Sequence, residues 1–299
     1  MKEFSGIPTQ NGMPSISNIF KDQHEQMIMT PAYEQAIAVL EQKINIEDFA
    51  DTYSEELMGK CRDYVDKRES QFAHKRATNE SWARAEVFGK TLEAILHDQI
   101  NQGIFGEDVR GVSTSTFDDY YAGIDEVIER YGPDGSTYIG CALDFTFGNP
   151  NNKIDSVCAD IQAGKLRDVT FYESPFGNPP LIHGKLQGIP KVIVGVDAPH
   201  LLQLAQQWTE GDSQVLEHNQ LFLSILRQIQ MQSEVYSIIA NRYHQKEVAE
   251  RYEKVHSAIT KLYTELKEQR AVVALDPQIT GDGVHRAITE RMHQLISAK

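Results

Sequence analysis

The chain has 299 residues, a hydrophobic fraction of 40% and a formal net charge of -14, enough length and apolar content to bury a full core. No apolar run approaches the roughly 18 residues of a membrane span, and the opening stretch MKEFSGIPTQNGMPSIS lacks the apolar centre of a signal peptide, so a cytoplasmic protein is expected. Its three cysteines, Cys61, Cys141 and Cys158, have no paired spacing, which argues against both a disulfide framework and a cysteine-built zinc site. The acidic field disfavours a polyanionic partner unless a local basic surface or a bridging metal ion receives it. The candidate basic stretches are KCRDYVDKRESQFAHKR (60 to 76) and the helix after residue 240, and both also carry acids.

In chain order, residues 1 to 30 mix Ser, Pro, Gly, Asn and Gln without period and read as a mobile or loosely docked arm, with structure starting near Pro31. Residues 31 to 80 read as helical, with Ala36, Val39, Leu40 and Ile44 on one stripe. Ser81 is placed to cap the next helix, whose Trp82, Ala85, Gly89, Leu92 and Leu96 follow the spacing of a buried face.

Between residues 110 and 200 the period becomes that of strands. In YIGCALDFTF, Ile139, Cys141, Leu143, Phe145 and Phe147 share one apolar face, and Gly140, Ala142, Asp144 and Thr146 share a small, polar one with room for a site. NNKIDSVCADIQAGKL then reads as a helix ending at Gly164, followed by strands at DVTFYES and KVIVGVD. Residues 201 to 299 are helical again. Val248, Tyr252, Val255, Ile259, Leu262 and Leu266 form a short heptad seam that must pack on another helix of this chain or of a partner. DPQITGDG breaks that helix before a last amphipathic one.

Several motifs fail on inspection. FGKTLE has Arg84 where a phosphate-binding loop needs glycine, and FDDYYA has Ala122 where prenyl-transfer enzymes need an aspartate. His74, His97, Asp98 and Asp118 follow the ligand order of helical phosphohydrolases, but that fold is all-helical and this segment is strand-like.

The segment AGIDEVIERYGPDGSTYIGCALDFTFG (122 to 148) holds the strongest constellation. With GPDG as the turn of a hairpin, residues whose numbers sum to 267 face one another, which puts Asp125 opposite Ala142 and diagonal to Asp144 on the same face. Two carboxylates at that range repel, and a shared Mg²⁺ relieves the repulsion while polarising a phosphoryl oxygen and acidifying a water. The helix from Ser81 offers Glu86 and Glu93, seven residues apart on nearly the same face, either of which could be a third ligand, with Gly89 between them allowing close approach to the sheet. Glu129 and Thr146 are further candidates on the strands.

A helix with a glutamate, a strand with Asp125, a second strand with Asp144, then helix and strand: this order resembles the PD-(D/E)XK, or restriction-endonuclease-like, nuclease superfamily. The resemblance covers residues 81 to 200. It implies an α/β, mixed-sheet core flanked by helices, between an N-terminal arm (1 to 30) with a helical region (31 to 80) and a C-terminal helical region (201 to 299). It further implies that Asp125, Asp144 and Glu93 bind Mg²⁺ (or Mn²⁺) and that a lysine orients or activates the attacking water. The family's lysine stands two residues after the second acid, where this chain has Thr146, and no proline precedes Asp125. Lys153 and Lys165, and more remotely Lys185, are the candidate substitutes. The function expected is nucleic-acid hydrolysis, DNA rather than RNA, with the C-terminal helices positioning substrate or forming a homodimer. A degenerate nuclease domain that only binds nucleic acid or protein, and a helical assembly protein, are the alternatives.

Overall fold

The computed structural model describes residues 19–20, 22–132, 141–146, 148–211 and 213–297. The tip of the predicted GPDG hairpin, Ile139, Gly140 and Phe147 lie outside the described residues. The architecture is mixed α/β, a small mixed sheet among many helices.

Helix α1 (Gln23–Leu40) starts eight residues before the expected onset at Pro31 and runs through that proline. Proline removes one helical hydrogen bond. Burial of Met29, Ala32, Tyr33 and Ala36 against other helices outweighs that loss, and Ile19 and Phe20 are buried ahead of it. A 3₁₀ turn (Ile46–Phe49) leads to α2 (Glu55–Thr78) and α3 (Glu80–Asn101). Asn79, not Ser81, forms the joint: its backbone N–H closes α2 on the Lys75 carbonyl, and its side chain accepts the Trp82 N–H at 3.0 Å to open α3. A short amide side chain can serve both ends because it accepts with its oxygen while its own N–H stays helical. The FGKTLE stretch lies inside α3, so it is no phosphate loop.

Strand β1 (Val109–Ser113), helix α4 (Thr116–Ala122), β2 (Glu126–Arg130) and β3 (Cys141–Thr146) follow, then α5 (Asn151–Gln162), β4 (Arg167–Glu173), β5 (His183–Ile189) and β6 (Lys191–Gly195). The four-stranded sheet has order β1-β2-β3-β6; β3 is antiparallel to β2 and parallel to β6. Cys141 faces Ile128 and Leu143 faces Glu126, so facing numbers sum to 269 rather than 267. The shift is by two residues, so the paired side chains keep the face read from sequence, and Asp125 lies just ahead of the paired stretch with its N–H on the Leu143 carbonyl.

Ile128, Cys141, Leu143 and Phe145 enter the main core with the helices. The other face, read from sequence as small and polar with room for a site, is largely covered: Val127 and Ala142 pack under the β4–β5 hairpin with Val169, Tyr172 and Leu186. That face stays accessible toward the end of β3, at Asp144 and Thr146, which line an open cleft.

Helices α6 (Ala198–Glu210), α7 (Ser213–His218), α8 (Leu221–Arg242), α9 (Lys246–Gln269), α10 (Pro277–Thr280) and α11 (Gly283–Ser297) complete the chain. All six residues of the heptad seam are buried, and α9 packs along α8. The seam is therefore covered within the chain. Helix α8 also closes the free edge of β6: Gln232 accepts from Ile193 N–H at 3.0 Å and donates back to its carbonyl, and Gln228 does the same at Gly195. Two side-chain amides one helical turn apart thus act as a missing fifth strand, leaving no unpaired edge there. One core cluster draws buried residues from α1, α3, α5, the sheet, α6 to α9 and α11. No helix among the described residues is long and apolar enough to cross a membrane.

Candidate active site

Helix α4 is capped by Ser115, whose Oγ accepts from Asp118 N–H at 3.1 Å, and ends at Gly123 in the left-handed conformation at φ 63°. A Cβ on Gly123 would lie 2.9 Å from Lys191 Nζ and 3.7 Å from Asp144 Oδ2. Glycine is favoured there by its left-handed backbone, and two residues later the chain delivers Asp125 to the cleft.

Asp125 lies just ahead of β2. Its N–H donates to the Leu143 carbonyl at 2.9 Å and its carboxylate accepts from Phe145 N–H, so backbone on β3 orients it. Asp144 is buried, with Oδ1 against Lys153 Nζ and Oδ2 at 2.7 Å from Lys191 Nζ. Lys153, on the first turn of α5, also donates to the Phe145 carbonyl at 2.6 Å. Glu93 comes from α3 and meets Lys43 Nζ at 2.6 Å; the same ammonium lies 3.4 Å from Asp119 Oδ2.

All of these groups but Lys191 line one cleft of about 730 Å³ between α1, α2, α3, α4 and the end of β3, with seven carboxylates and four cationic side chains among the described residues on its walls. Loss of hydration, then the charges of Asp119, Glu93 and Asp144, push the Asp125 carboxyl well above the usual carboxylate range. Burial raises Glu93 as well, partly offset by Lys43. Burial works against the Lys153 ammonium, but Asp144 and Asp125 outweigh it and hold its pKa above the ordinary lysine value; Lys43 is raised in the same way by Glu93 and Asp119. Both lysines are cations at neutral pH.

Glu93, Asp125, Asp144, Thr146 and Lys153 are thus brought together, and Glu86 lines the same cleft with Oε1 2.8 Å from Arg76 Nη1. Lys165 is exposed beyond the end of α5, away from the cleft, because the turn at Gly164 carries the chain off toward β4. Lys185 is paired with Asp168 at 2.7 Å on the β4–β5 hairpin. Glu129 accepts from Tyr172 Oη at 2.5 Å and Ser174 Oγ at 2.8 Å, which fastens β2 to β4. His97 contacts Glu126 and Ser113, Asp98 accepts from Trp208 Nε1, and Asp118 accepts from Thr170 and Phe171 N–H; no shared site joins them. Sequence reasoning missed Lys43, Asp119 and Lys191. Asp119 stood inside FDDYYA, and a lysine opening the otherwise apolar strand KVIVG was the available signal for Lys191.

The donor set suits a hard divalent cation: carboxylate oxygens in excess over cations, in a cleft open to water. Mg²⁺ commonly takes one or two carboxylates and keeps several waters, which Asp125 and Asp144 can satisfy; Glu93 is drawn toward Lys43. Three ligand atoms within 4.8 Å of one another occur among the described residues at Asp197, His200 and Asp282 instead. There, however, each carboxylate oxygen already accepts a backbone N–H. Asp197 caps α6 and accepts Gly283 N–H, Asp282 accepts Asp197 and His285 N–H, and both His200 ring nitrogens face oxygen acceptors. With both His200 ring nitrogens against oxygens, the group ties the start of α6 to the start of α11.

Comparison with protein-family models, with curated proteins and with solved structures finds no match to the chain.

Proposed function

We propose that the protein is a metal-dependent nuclease of the PD-(D/E)XK kind, hydrolysing phosphodiester bonds of DNA in preference to RNA. The observation that carries this reading is Lys153. It reaches back from α5 onto Asp144 and the Phe145 carbonyl, supplying beside the acid pair the positive charge that Thr146 cannot. The order around it supports the resemblance: Glu93 on α3, Asp125 at β2, Asp144 on β3, then α5 and, after the separate β4–β5 sheet, β6, with β1, β2, β3 and β6 in one mixed sheet.

Asp125 and Asp144 would hold Mg²⁺ or Mn²⁺, with Glu93 at the rim of the site. When bound, such an ion polarises a phosphoryl oxygen and makes a water more acidic. The chain's own residues do the rest. Phe145 N–H fixes the Asp125 carboxylate, and the buried Lys191 fixes Asp144 Oδ2 while Lys153 meets Oδ1. The Lys153 ammonium, kept charged by both aspartates, is placed to orient the attacking water and to stabilise negative charge growing on the phosphate.

Incubating labelled DNA strands with the protein in Mg²⁺, Mn²⁺ or EDTA tests this. Metal-dependent cutting that is lost in Asp144→Asn supports it, and absence of cutting in every metal refutes it. One observation favours the second reading, a nuclease-fold protein that binds without cutting: Lys43 lies across Glu93 and Asp119, where it competes for the acids. The seam that favoured an assembly role is covered by α8.

A further inference from the structure

We infer that the cleft receives a single nucleic-acid strand, with one unpaired base held at its aromatic end beside the phosphate that meets the acids. This inference rests on the nuclease reading for the acid end and on separate residues for the aromatic end.

The α2–α3 joint brings Phe72 and Trp82 into a stacked pair, centroids 5.6 Å apart and planes 25° apart. Tyr120 of α4 meets Phe72 edge-on at 5.0 Å, and the Arg68 guanidinium lies 4.8 Å from the Phe72 centroid. All four are half-buried and line the same cleft as Asp125, Asp144 and Lys153. Flat aromatic and guanidinium surfaces opening onto a phosphodiester site are what a base stacks upon.

Two polar atoms of residues lining the cleft point the same way. Arg68 Nε and Glu86 Oε2 are buried and have no hydrogen-bond partner, though both residues line the cleft. Buried polar groups are otherwise paired as a rule. One orphan donor and one orphan acceptor beside an aromatic surface match the edge of a heterocyclic base, which offers both a lone pair and an N–H.

Both features require the base to be out of a duplex. A paired base has neighbours on its faces and a partner on its edge, so only a single strand or a frayed end can present it. The cleft volume of about 730 Å³ is that of a pocket for small ligands, not of a duplex channel. The charge fits too. With seven carboxylates on the walls against four cations, a long polyanion gains little, whereas a short strand that meets only Arg68, Lys90 and Lys153 engages few phosphates. Binding should then depend weakly on salt, with a log–log slope of about 2 or less.

The test uses the full chain carrying Asp125→Asn, which keeps the oxygen that accepts Phe145 N–H but removes the charge needed for cutting. A 12-nucleotide single strand, its duplex and a nucleoside 5′-monophosphate are titrated, read by tryptophan fluorescence and by anisotropy of the labelled strand. The single strand should quench the fluorescence and bind at least tenfold more tightly than the other two. Adding Trp82→Ala should weaken strand binding roughly tenfold, whereas adding Trp82→Phe should keep the affinity and abolish the quench. Equal affinity for duplex or for mononucleotide overturns the inference, as does a folded Trp82→Ala variant with unchanged affinity. The two readings separate. Strand binding with the quench, but no cutting by the wild type in any metal, would leave this inference standing and remove the nuclease reading. Cutting of duplex indifferent to Trp82→Ala would do the reverse.

Discussion

Asp144→Ala is expected to cost stability as well as activity, and the size of that cost follows from the two lysines that share the carboxylate. The Lys153 side chain is 41% exposed and can turn to water when its partner goes. The Lys191 side chain is 10% exposed, with the Ala122 carbonyl at 3.5 Å as its other acceptor, and cannot. Removing one partner of a buried ion pair costs about 3 to 5 kcal/mol, and because only the Lys191 half is lost, about 3 kcal/mol is expected. An unfolding entropy of about 2.1 cal/mol/K per residue gives this chain about 0.6 kcal/mol/K, so the thermal midpoint should fall by about 5 °C. Scanning calorimetry at neutral pH measures it. Asp144→Ala/Lys191→Met, which removes both charges, should recover most of the loss, since an apolar replacement of the whole pair is close to neutral. A fall of less than about 1 °C in the single variant, or strictly additive losses in the double variant, would refute the placement of Lys191 as the fixed partner of Asp144.

Three further outcomes are expected. Lys153→Met should lower the cutting rate about a hundredfold or more with little change in thermal midpoint, while Lys165→Ala and Lys185→Ala should leave the rate unchanged; a rate lost in either of the latter two would move the catalytic cation elsewhere. Gln232→Leu strands the buried N–H and carbonyl of Ile193, at about 1 to 3 kcal/mol each, so denaturant titration should show a loss of about 3 kcal/mol and hydrogen exchange should show the Ile193 amide losing protection; an unchanged amide would contradict the edge-closing role. For His200, burial opposes the charge but the hydrogen bond to Asp197 and the Asp197 and Asp282 charges raise its pKa above the ordinary histidine value. A raised cation stabilises the fold below its unfolded value near about 6.5 and stops doing so as pH rises through the folded value. The wild-type advantage over His200→Gln in denaturation midpoint should therefore be largest in mildly acid solution and shrink at higher pH, and an advantage that grew with pH would sink the clasp.

The local parts of this site were legible in sequence because their signals are local. Alternation in CALDFT assigned Asp144 to the correct face, the likeness of GKTLEAIL to the helix of the nuclease superfamily brought Glu93 forward, and a lysine nine residues after Asp144 could only return to it if a helix followed β3, as α5 does. The register error of two residues arose from the assumed GPDG turn, and its even size left the faces intact. The parts that were not legible depend on long-range packing. Lys43 reaches Glu93 from the far end of α1, fifty residues away in sequence, and Lys191 reaches Asp144 only because β6 lies parallel to β3 after an inserted hairpin. Neither has a periodic signature. Pro31 misled for a related reason, since the packing of Tyr33 and Ala36 decides the start of α1 more strongly than the proline does. The two glutamines one turn apart in the apolar helix α8 were a readable anomaly, and they mark the closed edge of β6.

The central claim is that Asp125 and Asp144 together hold a divalent ion at the end of β3. Calorimetric titration of the full chain with Mn²⁺ tests it most directly, comparing wild type with Asp125→Asn and with His200→Ala, which disrupts the other candidate ligand group. One binding event that disappears in Asp125→Asn and persists in His200→Ala is the expected result. An isotherm unchanged in Asp125→Asn, or one lost only in His200→Ala, would contradict the account.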